Sequence, residues 1–267
     1  MNPDTRWSLL DLGNAVGQCS MRHNQGIHCT VAPLAEYANN RGQSDAAVRD
    51  IIRSIQVLAG QAPDCTISLK PTALGILFDP LLYEKNLSQV LEEAEKNEIG
   101  LEIDMEGRDL VDVTLQSARK MAGEYPLTLA LQAYLDRTPA DCDLCISEGI
   151  RIRLVKGAYL GDTGNFAEIR ERLRVLVSRI GNSGENFSIG THDPEIISWI
   201  QRDAGIPRHQ FEFGFLMGLA DQTKITLARE GWDVAEYVPF GTGGEAYRKR
   251  RERYLTLLRE AGRSPLP

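Results

Sequence analysis

The feature that most constrains this chain is the alternation of eight short apolar runs with eight helix-like stretches. The runs are Gly26–Val31, Cys65–Leu69, Ile99–Ile103, Leu127–Leu131, Ile150–Val155, Phe187–Ile189, Phe211–Phe215 and Val234–Val238. Ser44 has the chemistry of a helix N-cap and precedes Ala47, Val48, Ile51, Ile52 and Ile55 at helical spacing, so the first helix is expected to open there. Further helical stretches are expected over 84–97, 108–122, 139–147, 166–181, 194–204, 219–230 and 243–261. Strands alternating with helices in this way make βαβ units and a parallel sheet. Eight such units could form an open doubly wound sheet, but eight is the number at which a parallel sheet closes on a packed interior. The expected architecture is a single-domain (β/α)8 TIM-type barrel over 26–267, preceded by a helical extension over 1–25.

Net charge is −7, so the excess of lysine and arginine that nucleic-acid binding needs is missing. No apolar run approaches the roughly 18 residues of a membrane span, and the N-terminus lacks the basic start and apolar core of a signal peptide. The 5 cysteines are too few and too scattered for a disulfide scaffold, which suits reduced thiols and a cytoplasmic setting. Cys142 and Cys145 form a CxxC with no second pair and only 4 histidines in the chain, so a structural role is expected for them.

In a parallel barrel the chemistry gathers at the C-terminal ends of the strands. The polar residues expected there are Lys70, Asp104, Gln132 and Tyr134, then Arg153, Lys156 and Tyr159, Thr191, His192 and Asp193, and finally Glu212 and Tyr237. Charges placed where burial is expected are costly, and their density points to function. The last helix adds Tyr247, Arg250, Arg251, Tyr254, Leu257 and Leu258 on one stripe. Two arginines beside tyrosines on an apolar face make a receptor for a carboxylate. Nearby Arg248, Lys249 and Arg253 are expected to face water.

The stretch RLVKGAY at Arg153–Tyr159 resembles the fifth-strand signature of proline dehydrogenases, including the barrel domain of the bifunctional proline-utilisation flavoenzymes. Other segments match in order: SLKPTALG at Lys70, IDME at Asp104–Glu106, LQAYL at Gln132, GTHD at Gly190–Asp193, FEFGFLMG at Glu212, YVPFG at Tyr237, and AYRKRR ending at Arg250 and Arg251. The resemblance implies a barrel that holds FAD at its mouth and oxidises L-proline, or a close cyclic imino acid, to 1-pyrroline-5-carboxylate by hydride transfer to flavin N5. It implies cofactor contacts at Met105, Gln132, Arg153, Val155, Lys156, Gly157, Thr191, His192 and Glu212. On the same resemblance, Asp104 and Arg153 would carry the catalytic roles. Lys70, Tyr159, Tyr237, Tyr247, Arg250 and Arg251 would form the substrate pocket, with the arginines on the carboxylate. A quinone electron acceptor is implied, with possible contact to a membrane surface, and no metal.

Three departures from the family pattern stand out. Tyr254 replaces a glutamate that pairs with an arginine, Asp193 stands where asparagine is frequent, and the first strand, TVAPLAE, lacks the usual acid and glycine. Two other readings remain open. Lys156 could form a Schiff base in an aldolase-like barrel, with a phosphate at the glycine-rich turn around Gly243. Alternatively, the chain is a non-catalytic relative. The GxGxxA at Gly241–Ala246 follows the last strand with no second βαβ half after it, so a Rossmann site is not expected there.

Overall fold

Eight parallel strands close into a barrel in sequence order, β1 pairing with both β2 and β8. This computed structural model describes residues 6–260 apart from Pro63 and Gly243, together with Gly262. The strands are β1 (His28–Pro33), β2 (Cys65–Leu69), β3 (Gly100–Ile103), β4 (Thr128–Gln132), β5 (Arg151–Val155), β6 (Phe187–Gly190), β7 (Phe211–Leu216) and β8 (Asp233–Phe240). The helices among the described residues are α1 (Leu12–His23), α2 (Arg41–Gln61), α3 (Pro80–Lys96), α4 (Val111–Ala122), α5 (Thr138–Ser147), α6 (Phe166–Gly181), α7 (Pro194–Arg202), α8 (Asp221–Arg229) and α9 (Glu245–Glu260). Helix α1 precedes the barrel and packs against β1 and β8. The expected phosphate turn at Gly243 lies outside the described residues.

Alternation along the strands separates the two faces of the barrel wall. On β7, Phe211, Phe213 and Phe215 are buried while Glu212, Gly214 and Leu216 are partly accessible. On β5, Ile152 and Leu154 are buried while Arg151, Arg153 and Val155 are partly accessible. The apolar set packs under the helices, and the accessible set lines the interior. Gly190 and Gly214 are register partners on neighbouring strands and put no side chain into the upper interior.

Four helix starts are fixed by side-chain caps in the loops that leave the mouth. Asn40, Asp79, Asn165 and Asp193 each accept a main-chain N–H at the start of α2, α3, α6 and α7. Helix α2 therefore opens at Asn40 and not at Ser44, which is buried and accepts from Asn86 Nδ2 at 2.9 Å. Cys142 and Cys145 are buried and unbridged on α5, where burial pushes the Cys145 thiol up to about 12. Among the described residues no helix is long and apolar enough to cross a membrane.

Candidate active site

Asp104, immediately after β3, is the hub of the barrel mouth. It accepts from Lys70 Nζ at 2.7 Å, Tyr237 Oη at 2.6 Å and Ser68 Oγ at 2.9 Å, and it is ion-paired with Arg153. Those partners come from β2, the loop after it, β8 and β5, so closure of the barrel assembles the cluster. Burial works against the Asp104 charge, but Lys70 and Arg153 outweigh it and hold the carboxyl well below its usual range. Burial likewise opposes the charges of Lys70 and Arg153, and their carboxylate partners reverse the balance and raise both. All three groups are therefore ionised at neutral pH.

Helix α9 closes one side of the mouth. Tyr247 is buried and stacks on Tyr237, ring centroids 6.4 Å apart, and its hydroxyl has no hydrogen-bond partner among the described residues. Arg251 lies over the Tyr247 ring at 5.2 Å and pairs with no carboxylate among the described residues. Arg250 lies over the Tyr159 ring at 4.9 Å and is ion-paired with Glu36, whose Oε1 is also 4.0 Å from Lys70 Nζ. Of the last two residues expected on the inward stripe, Leu258 is buried and Leu257 is 38% exposed, so the stripe is narrower than expected at that end.

A second group of residues lines the β4–β7 side. The chain after β5 turns at Gly157, with φ +117°, and a Cβ there would lie 1.9 Å from Tyr134 Cε1. Glycine is required by conformation and by contact. Tyr134 Oη donates to Gln132 Oε1 at 2.8 Å and accepts from the Tyr159 main-chain N–H at 2.9 Å, while Gln132 Nε2 donates to the Glu106 carbonyl at 3.0 Å. Lys156 lies 4.2 Å from the centre of the Tyr254 ring, and burial, then Arg251, pushes its pKa down to about 8. His192 Nε2 accepts from the Leu216 main-chain N–H at 3.1 Å, and burial, then Arg251, pushes its pKa down to about 3, so the ring is neutral. Thr191 is buried beside it, and the Met105 side chain packs in the apolar core.

Cationic and donor groups surround a floor of Val155, Gly190, Gly214 and Leu216, with Arg153 one inward position below Val155. The small residues leave room for a flat ring system, and the orphaned Tyr247 hydroxyl and unpaired Arg251 suit an anionic ligand beside it. The donor set fits a flavin next to a carboxylate.

The sequence profile of the family described as Proline dehydrogenase matches residues 15–187. Proline dehydrogenase 2 of Bacillus subtilis (strain 168) is 31% identical over 249 residues, covering 90% of this chain and 82% of that protein. Proline dehydrogenase of Deinococcus radiodurans is 28% identical over 251 residues, 89% of this chain and 81% of its own. The chain belongs to the proline dehydrogenase family. It is an oxidoreductase on that account. The barrel also superposes on proline utilization A from Bdellovibrio bacteriovorus inactivated by N-propargylglycine, with a TM-score of 0.83 at 19% identity. That match covers 92% of this chain and spans 32% of the other protein's length, and it bears on the fold alone.

Against the proline dehydrogenase pattern, the structure corrects one expected contact. Glu212 is the second residue of β7 and lies at the N-terminal end of the barrel, 3.5 Å from Arg151 and 3.7 Å from His28, each the first residue of its strand. It does not line the mouth. The acid missing from the first strand is supplied just beyond it by Glu36, which pairs with Arg250. The charge of Asp193 is met by Arg170 at 2.9 Å, so this departure adds no uncompensated anion. Tyr254 provides a ring face to Lys156 where the family has a carboxylate, 6.3 Å from the ring of His192. Glu102 was not expected as a site residue, although period-2 alternation puts it on the same face of β3 as Asp104.

Proposed function

We propose that this chain is an FAD-dependent dehydrogenase of L-proline or a close cyclic imino acid, forming 1-pyrroline-5-carboxylate. The observation that carries the reading is the convergence of Lys70, Asp104, Arg153, Tyr237, Tyr247 and Arg251 on one barrel mouth. Gln132, Val155, Lys156, Gly157, Thr191 and His192 would hold FAD above Arg153, and the cofactor would supply the acceptor for the hydride removed from the ring carbon.

The chain's own groups would bind and orient. Arg251, with Arg250 once Glu36 yields it, would anchor the substrate carboxylate. Tyr159, Tyr237 and Tyr247 would wall the ring, and the Tyr247 hydroxyl would gain a partner. Lys70 stays protonated beside Asp104, so it adds positive charge and does not act as a base. Asp104 is held ionised by two cations and is equally unsuited to accept a proton at neutral pH. The substrate amine must therefore arrive neutral, and positioning supplies much of the rate.

A quinone is the proposed electron acceptor, and its lipophilicity would bring the protein to a membrane surface from a cytoplasmic setting. FAD added to purified protein should bind and quench its own fluorescence, and L-proline with a dye acceptor should then give turnover. Protein that takes up no FAD would overturn the reading. The aldolase-like alternative, with Lys156 as nucleophile, would instead show borohydride-trapped substrate.

A further inference from the structure

Glu102 lies one inward position below Asp104 on β3 and is fully enclosed by the barrel. Its Oε2 is 2.7 Å from Arg153 Nη1, while Asp104 takes Nη2 of the same guanidinium. The two carboxylates thus hold both arms of Arg153 from a single strand. Thr30 Oγ1 donates to Glu102 Oε1 at 3.3 Å and accepts from Thr66 Oγ1 at 3.0 Å, so two further strands fix the carboxylate from below. The charge count is decisive. Lys70, Arg153 and Arg250 bring three positive charges to the mouth, and Asp104 and Glu36 oppose two of them; Glu102, whose carboxyl burial pushes up and Arg153 pulls down, opposes the third in its ionised form. In a low-dielectric interior a single charge at this range acts strongly on whatever sits above it.

We propose that Glu102 is a positioning residue that holds Arg153 and cancels its charge, and so keeps the bound flavin harder to reduce than an unopposed arginine would. This rests on the reading that a flavin lies over Arg153. A nearby cation favours the more anionic reduced form of the cofactor, so removing the Glu102 charge raises the potential. A buried carboxylate kept solely for packing would leave the potential untouched on neutral replacement.

The test is the equilibrium of FAD-loaded protein with a redox dye of known potential. Glu102→Gln should shift that equilibrium toward reduced protein by about tenfold, which is about 30 mV for a two-electron couple. Glu102→Asp, which keeps the charge, should remain near wild type. Glu102→Gln that holds FAD yet stays within about twofold of wild type overturns the proposal, as does Glu102→Asp matching Glu102→Gln. If Glu102→Gln does not fold, Glu102→Met removes the same charge from a side chain of similar length and should move the equilibrium in the same direction; no movement there overturns the proposal equally. Wild-type protein that takes up no FAD sinks the parent reading, whereas FAD-loaded variants that do not move sink this one alone.

Discussion

Glu36, in the loop after β1, is ion-paired with Arg250 of α9 across the rim of the barrel mouth. The side chain of Glu36 is 5% exposed, and its second oxygen has no hydrogen-bond partner among the described residues. A carboxylate of the protein therefore occupies one of the two arginines expected to receive the carboxylate of a ligand, and leaves Arg251 open.

Competition between the two carboxylates has a direct consequence. Glu36→Gln should tighten the binding of a five-membered-ring carboxylate by about tenfold, the scale of one charge-assisted hydrogen bond. Arg251→Ala should weaken it by about 2–5 kcal/mol, as for one partner of a desolvated charge pair. Titration followed by flavin absorbance checks both. Unchanged affinity in Glu36→Gln would mean that the Glu36–Arg250 pair stays closed over bound ligand.

Asp104 is the only carboxylate that contacts both Lys70 and Arg153 within 3 Å among the described residues. Asp104→Asn should therefore destabilise the protein by about 3–5 kcal/mol at pH 7 in urea unfolding, because two cations are left with less than their partner. The sign with pH follows from the depressed carboxyl pKa. The stabilisation is full above the unfolded value of about 3.9 and is lost as pH falls toward the lower folded value. The gap between wild type and Asp104→Asn should narrow in acid; a gap constant from pH 7 to the acid limb would contradict it.

What the sequence made legible follows from which interactions are local. Alternation of runs such as Phe211–Phe215 with capped helices identifies the barrel, because each βα unit writes its own period and its own start. The strand-end cluster was readable from Lys70, Asp104, Arg153 and Tyr237, since topology fixes where strand ends meet. Glu212 was misplaced because its motif runs the length of β7, and only Leu216 and the residues near it reach the mouth. Glu36 escaped notice because it lies in a loop, and only closure of the barrel brings it to Arg250. Asn40 displaced Ser44 as the first cap because either side chain can accept an N–H, and a serine can also face the core.

Gly157→Ala places a methyl group inside the Tyr134 ring and asks a β-carbon to tolerate φ +117°. It should cost about 3 kcal/mol or more in unfolding free energy and break the Tyr134–Gln132 link. Thermal unfolding and FAD uptake measure the two effects. A variant with wild-type midpoint and uptake would show that the loop after β5 can move aside.

Lys156 carries a charge that the folded protein disfavours. Its folded pKa of about 8 lies below the usual lysine value of 10.5, so between those pH values the unfolded chain binds more protons. The lysine's contribution to stability should rise with pH across that window and be least favourable below pH 8. Lys156→Met should accordingly stabilise the FAD-free protein at pH 7 by about 1–3 kcal/mol while weakening its hold on FAD. A loss of stability in FAD-free Lys156→Met would show that the contact with Tyr254 outweighs the cost of burial.

The central claim is that this barrel mouth seats a flavin beside a cyclic amino acid. The most direct measurement is the absorbance of FAD-loaded protein near 450 nm (roughly, for an oxidised flavin) on anaerobic addition of L-proline, with hydroxyproline, pipecolate and thiazolidine carboxylates alongside. The account predicts bleaching by L-proline or one of these close analogues, with the matching cyclic imine as product. A flavin that stays oxidised with every one of them would contradict it.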